Sequence, residues 1–126
     1  MNRVHLDTHV AARLAGRNKI TLSNHARHLI NFAPVVISPV VVLELELLVE
    51  IGRLKSSVDH ILELLRQLGV SILEQAFPQA CWASRALTWT RDPFDRLIVG
   101  HAMADEQSVL ISLDEDIHRH YKHAAR

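Results

Sequence analysis

The chain has 126 residues, 48% of them hydrophobic and 22% charged, with a formal net charge of zero. That is a globular composition for one domain spanning residues 1–126, and zero net charge excludes a protein that grips nucleic acid mainly by bulk charge. The lone Cys81 excludes an internal disulfide, and the longest apolar run, residues 35–49, is broken by Pro39, Glu44 and Glu46, so a cytoplasmic protein without membrane span or export leader is expected.

Residues 3–7 alternate Val4 and Leu6 with His5 and Asp7 and predict a first strand ending at Asp7. Thr8 is the expected cap of a helix through about Arg13, and Ser23 or Asn24 opens another with Ala26, Leu29, Ile30 and Ala33 inward. Residues 8–43 hold no acid but contain Arg13, Arg17, Lys19 and Arg27, a locally basic stretch that suits a phosphate path or, more commonly, a solvated face. A second strand is expected at residues 35–38. Ser38 and Pro39 then combine a cap with a proline at the first helical position, starting a helix that runs to Ile51 and stops at Gly52.

This helix carries three acids. At about 100° per residue Glu46 and Glu50 share one stripe, the solvent face, whereas Glu44 lies about 200° from Glu46. Glu44 therefore shares the side of Val40, Val41, Leu47, Leu48 and Ile51, expected to face protein or a cleft. Helical side chains lean toward the amino end, so Glu44 should lean back toward the strand ends, where Asp7 belongs.

Ser56 or Ser57 caps the next helix, with Val58, Ile61, Leu62, Leu65 and Leu68 as its apolar face and Gly69 as its stop. Residues 70–73 read as a third strand and 78–89 as a helix, whose Trp82 and Trp89 are expected to pack rather than stack on bases and whose Cys81 is expected to be a buried thiol. Asp92 and Pro93 open a helix to about Asp105, with Phe94, Leu97, Ile98, His101 and Ala102 inward. Asp95, in its first turn, has a bland role in capping and a sharper one in chemistry. Residues 109–113 form a strand followed by Asp114, Glu115 and Asp116. In the tail, His118, His120 and His123 match no zinc spacing and are read as a solvated end, while His5 and His9 are neighbours of Asp7 rather than ligands.

Strands alternating with helices through short connections predict an α/β fold, its sheet mainly parallel with helices on both faces. Asp7, Glu44, Asp95 and Asp114 then converge at one sheet edge. Carboxylates so placed need cations to remain ionised together, and oxygen donors without Cys or paired His favour Mg²⁺ or Mn²⁺ over zinc.

The segments LDTHV at 6–10, SPVVVLELELLVEIGRLK at 38–55, RDPFDRLIVGHAMA at 91–104 and LISLDED at 110–116 together resemble PIN-domain nucleases, most closely the VapC-type toxins of bacterial toxin–antitoxin pairs. The resemblance spans nearly the whole chain. It implies a three-layer α/β/α sandwich with a four- to five-stranded, mainly parallel sheet. It further implies a single-strand endoribonuclease using Mg²⁺, with Mn²⁺ able to substitute, water as nucleophile, a cognate antitoxin and a homodimer. On the family pattern Asp7, Glu44, Asp95 and Asp114 match the catalytic metal-binding acids, Asp116 is a further metal candidate, and Thr8 and Ser112 support them. Asp92 stays a cap. Arg13, Arg17, Arg91 and Arg96 are candidates for guiding RNA. Ser112 stands where the family often has threonine and Gly100 where it has alanine, and residues 120–126 lack the apolar side chains of the usual last strand, so a weak or missing sheet edge is expected.

Two other classes compete. An idle PIN-like module binding RNA or protein would need the acids to be non-catalytic. A haloacid-dehalogenase-like phosphatase wants Asp-x-Asp after its first strand, where this chain has Asp7-Thr8-His9, and a receiver domain wants a late-strand lysine that residues 109–113 lack.

Overall fold

The computed structural model describes residues 2–16 and 20–126. In chain order these form β1 (Val4–Leu6), α1 (Thr8–Ala15), α2 (Asn24–Phe32), β2 (Val35–Ile37), α3 (Pro39–Glu50), α4 (Val58–Gln67), β3 (Val70–Ile72), α5 (Phe77–Ser84), α6 (Pro93–Ala104), β4 (Val109–Ile111), α7 (Glu115–His120) and β5 (Ala124–Ala125). Every residue of β1 and β2 is buried, the mark of strands covered by helices on both faces, and the fold is an α/β/α sandwich.

The strands lie in the order β3-β2-β1-β4-β5 and all pair in parallel. Val4 pairs with Val35 on one side and Val109 on the other. The chain steps outward from β1 through β2 to β3, then returns across α5 and α6 to place β4 on the opposite flank of β1. The order therefore reverses between β1 and β4, where the carboxyl ends of a parallel sheet open a crevice. Leu6, Ile37, Leu45, Leu65, Ile98, Leu110, Ile111 and Ile117 are fully buried around this centre.

Helix starts follow the expected chemistry: Ser23, Ser38, Ser57 and Asp92 each accept from an amide in the first turn. The first helix differs, because Asp7 rather than Thr8 is its cap and Thr8 is already helical and buried. Gly52 and Gly69 follow α3 and α4 with φ of +80° and +85°, conformations that glycine adopts without strain.

Several expectations are corrected. In α3 Leu45 is fully buried, whereas Leu47 and Ile51 are exposed together with Leu43. Apolar residues surround this helix, so periodicity cannot choose the inner stripe; contacts with α1, α4 and α6 do. Leu68, one residue past α4, is also exposed. Helix α5 ends at Ser84 instead of reaching Trp89; Trp82 is 69% exposed under the Arg85 guanidinium, and Trp89 stacks on His120 with ring centroids 4.8 Å apart. Cys81 is exposed.

The tail is no solvated end. It forms α7, buries Tyr121 with its hydroxyl donating to the Ser108 carbonyl, and closes the sheet with β5. The Leu110 and Ser112 amides donate to the carbonyls of His123 and Ala125 at 3.1 and 3.0 Å. Strand pairing uses backbone groups, so two alanines suffice for a short edge.

His5, an unusual strand residue, is buried and donates from Nε2 to Asp105 at 2.8 Å, a carboxylate that Arg3 also contacts at 2.8 Å. Close by, His101 bridges the Gln75 carbonyl and the Ser38 hydroxyl, both at 2.8 Å. A ring donating to the carbonyl from Nε2 presents Nδ1 as acceptor for Ser38, which fixes the neutral tautomer.

Helices α5 and α6 cross closely at Gly100, where an added Cβ would stand 2.8 Å from the Ala80 carbonyl oxygen and 3.2 Å from Ser84. An exposed helical Gly→Ala change gains about 1 kcal/mol of propensity, whereas overpacking costs about 1–3 kcal/mol. Gly100→Ala should therefore lower stability by about 1–2 kcal/mol in urea unfolding, and an unchanged or raised midpoint would show that the two helices part readily.

Candidate active site

The crevice at the chain reversal is built by the ends of β1 and β4 and the starts of α1, α6 and α7. Asp7 leaves β1 and is 4% exposed. One of its oxygens accepts from the Thr8 amide at 2.8 Å, and the other from the Ser112 hydroxyl at 2.7 Å. Ser112, directly after β4, also accepts from the Asp114 amide at 3.0 Å, so one hydroxyl ties the two strand ends together. Its carbonyl accepts from His118 Nε2 at 2.6 Å. Asp114 caps α7, with one oxygen accepting from the amides of Asp116 and Ile117 at 2.8 and 3.1 Å.

Glu44 reaches the crevice from α3, as its lean toward the helix start requires, and accepts from the Thr8 hydroxyl. Thr8 thus serves Asp7 through its amide and Glu44 through its side chain. Asp95 enters from the first turn of α6, one turn beyond the capping Asp92, whose carboxylate accepts from the Phe94 amide at 2.9 Å.

These acids act on one another electrostatically. Burial pushes the Asp7 carboxyl up, opposed by the Ser112 and Thr8 hydrogen bonds and by His9, and reinforced by Asp114. Burial also raises Glu44, with Asp7 and Asp92 adding to the shift and the Thr8 hydroxyl and His9 opposing it. Asp95 is pushed up to about 7 by burial first and then by the fields of Asp92, Asp7, Asp114 and Glu44. All of these act in one direction. A carboxyl in that position gains its charge fully only when a cation offsets its neighbours.

Asp7, Glu44, Asp95 and Asp114 therefore share one electrostatic site, with Thr8 and Ser112 bonded to it. Asp116 is placed apart: its carboxylate is 61% exposed and pairs with Arg119 at 2.8 Å on the surface of α7. Of the candidate RNA-guiding residues, Arg13 is exposed on α1 and Arg91 is exposed before α6. Arg96 is partly covered and donates to the Thr90 carbonyl at 2.9 Å, and Arg17 lies outside the described residues.

Sequence reasoning undervalued two neighbours. Asp92 caps its helix yet its charge acts on both Glu44 and Asp95, and His9 acts on both Asp7 and Glu44. The i, i+3 spacing from Asp92 to Asp95 was the available signal for the first.

Among the described residues no three His, Cys, Asp or Glu side chains form a ready-made ligand group. The donor set still fits a hard divalent cation, since it is all oxygen, partly withdrawn from water, and raised in proton affinity by its own members.

Comparison with known proteins speaks to the family and the fold. The family model described as PIN domain matches residues 4–123. No curated protein matches the chain. Among solved structures, a chain of the VapBC2 complex from Rickettsia felis, bound to a DNA fragment from their promoter, superposes with a TM-score of 0.67 at 19% identity, covering 93% of this chain and 92% of that one. At that identity the match speaks for the fold.

The raised Asp95 carboxyl sets a pH dependence for the metal-free protein. Between about pH 4 and pH 7 an unfolded chain releases this proton while the folded protein holds it, so stability falls as pH rises through that window and stays reduced above it. Asp95→Asn in EDTA should be more stable than the parent at pH 8, by about 1–2 kcal/mol once solvent screening of this half-buried group is discounted. At pH 4 the two should unfold together. A parent as stable as the variant at pH 8 would mean that Asp95 does not feel its neighbours.

Proposed function

The chain belongs to the PIN-domain family, and from that premise we propose that it is a metal-dependent endoribonuclease of single-stranded RNA, the toxin of a toxin–antitoxin pair. The observation that supports the reading is that Asp95 is pushed up to about 7 by burial and by the fields of Asp92, Asp7, Asp114 and Glu44, while Asp7 and Asp114 follow the paired strands β1 and β4. Without a cation such a cluster only destabilises the fold, so its chemistry points to one.

Asp7, Glu44, Asp95 and Asp114 would hold Mg²⁺ or Mn²⁺, without Asp116, which is exposed and paired with Arg119. Bound there, the ion supplies Lewis-acid neutralisation of a scissile phosphate and a water acidic enough to attack it. The protein's own part is positional. Ser112 keeps one Asp7 oxygen turned to β4, Thr8 keeps Glu44 turned toward Asp7, and the α7 amides fix Asp114. No Ser, Cys or His in the crevice is required as nucleophile.

The partners follow the same reading. The Rickettsia felis structure is a complex of toxin and antitoxin by its name, and we extend an antitoxin partner to this chain as a proposal. A homodimer is supported by Leu43, Leu47 and Ile51, spaced i, i+4, i+8 as an exposed apolar stripe on α3. No helix among the described residues is long and apolar enough to cross a membrane, in keeping with the proposed cytoplasmic location.

With a mixed panel of structured and unstructured RNAs, the purified protein should cut single-stranded sites in Mg²⁺ or Mn²⁺ and none in EDTA. Asp7→Asn should lose at least about a hundredfold in rate, and Thr8→Val about tenfold, since it only releases Glu44. Cutting that survives EDTA or Asp7→Asn would belong to a contaminant. A folded protein that binds no Mn²⁺ and cuts nothing would instead be the idle binding module. Sedimentation of Leu47→Glu beside the parent tests the stripe: the parent should be dimeric and the variant monomeric.

A further inference from the structure

Two cavities run away from the acid site between α1 and the turn after α3. The first, about 240 Å³, is lined by His9, Ala12, Arg13, Leu48, Arg53 and Leu54. The second, about 310 Å³, shares Ala12, Arg53 and Leu54 with it and adds Lys55 and, from α4, Ile61 and Leu64. The shared residues make them one groove. It begins beside the site, because His9 is close enough to act on Asp7 and Glu44, and Leu48 lies one helical turn beyond Glu44.

The charge of this groove is one-sided. Arg13, Arg53 and Lys55 are exposed along it, and neither cavity contains an Asp or Glu. The arginine ion pairs among the described residues involve Arg3, Arg66, Arg119 and Arg126, and none of these three cations. Another cavity, about 390 Å³ beside β3, is different: Asp59 and Glu63 line it, and its Arg66 is paired to Glu63 at 2.7 Å. A polyanion approaching four carboxylates needs positive charge along its path, within a Debye length of about 8–10 Å.

We propose that this groove carries the backbone of the single-stranded RNA on one side of the cleavage point, with Arg13, Arg53 and Lys55 each facing a phosphate. The inference rests on the ribonuclease reading. The groove floor is aliphatic and offers no Phe, Tyr or Trp for stacking, so it tracks phosphates and selects little among bases.

The test is binding of a fluorescent single-stranded RNA to the full chain in EDTA, across 50–200 mM salt, beside Mn²⁺-dependent cleavage. The Arg13→Ala/Arg53→Ala/Lys55→Ala protein should bind on the order of tenfold more weakly, with the log–log salt slope reduced by about 2. Its KM should rise while kcat at saturating RNA changes little, and its Tm and Mn²⁺ binding should match the parent. Arg27→Ala/Arg85→Ala/Lys122→Ala removes the same charge elsewhere and should bind as the parent does; equal weakening of both would reduce the effect to net charge and overturn the groove. Arg53→Glu alone, at an exposed turn, must weaken binding in the same direction. If the parent cuts RNA but the groove variant keeps its affinity and slope, the groove fails and the ribonuclease reading stands. If the parent neither binds nor cuts, both fail. Displacement of the RNA by an equal concentration of polyglutamate would make the groove a docking surface for an acidic polypeptide and overturn the proposal.

Discussion

The constraint on which the structure turns is mutual repulsion among carboxylates that the topology forces together. Asp7 and Asp114 follow adjacent parallel strands, and Asp95 and Glu44 are delivered from helices that pack beside them. The fold offsets only part of the cost. Asp7 is buried because both of its oxygens find donors, in the Thr8 amide and the Ser112 hydroxyl. Asp95 has burial and then four acidic neighbours acting on it, with nothing opposing them, and is pushed up to about 7. Ser112 and Thr8 thus oppose part of the upward shift of Asp7 and Glu44, whereas every influence on Asp95 raises it.

Helix starts share in this arrangement. Asp7 caps α1, Asp114 caps α7 and Asp95 sits in the first turn of α6, so three positive helix ends face the crevice. Each contributes about 0.3–1 kcal/mol toward a nearby anion, less than one pKa unit. That is too little to cancel a shift that carries Asp95 to about 7. Capping and chemistry are consequently not alternatives for these residues. The positions that make an acid a good cap also bring it to the carboxyl ends of parallel strands, which is why the bland and the functional readings of Asp95 were hard to separate by spacing alone.

The sheet centre and the caps were legible because they depend on local pattern: apolar runs at residues 35–37 and 109–111, Ser-Pro and Asp-Pro at helix starts, Gly52 and Gly69 at helix ends. Glu44 was legible through its angle to Glu46, although the company assigned to it was partly wrong, since Leu47 and Ile51 face outward. A helix apolar on every side carries no angular information, and only its neighbours orient it. Beyond Asp116 the polar composition concealed a helix and a strand, because β5 is held by backbone bonds to β4 and only Ile117 and Tyr121 supply large apolar anchors. His5 was opaque for a related reason: its partner Asp105 lies 100 residues away, and no local pattern reveals a buried pair of that span.

Net charge was the least informative number of all. Zero is a sum over fourteen acids and fourteen cations, and it hides a local separation in which Asp7, Glu44, Asp95 and Asp114 act on one another while Arg13, Arg53 and Lys55 line cavities without an acid. A site for hard cations and a path for a polyanion require opposite signs of charge, and each would weaken the other if they were mixed. Leu48, one helical turn beyond Glu44, lines the groove with His9 and so joins the two regions, while a distant partner sees a chain of zero net charge. On the ribonuclease reading, attraction for a strand is concentrated where the groove leads to the acids.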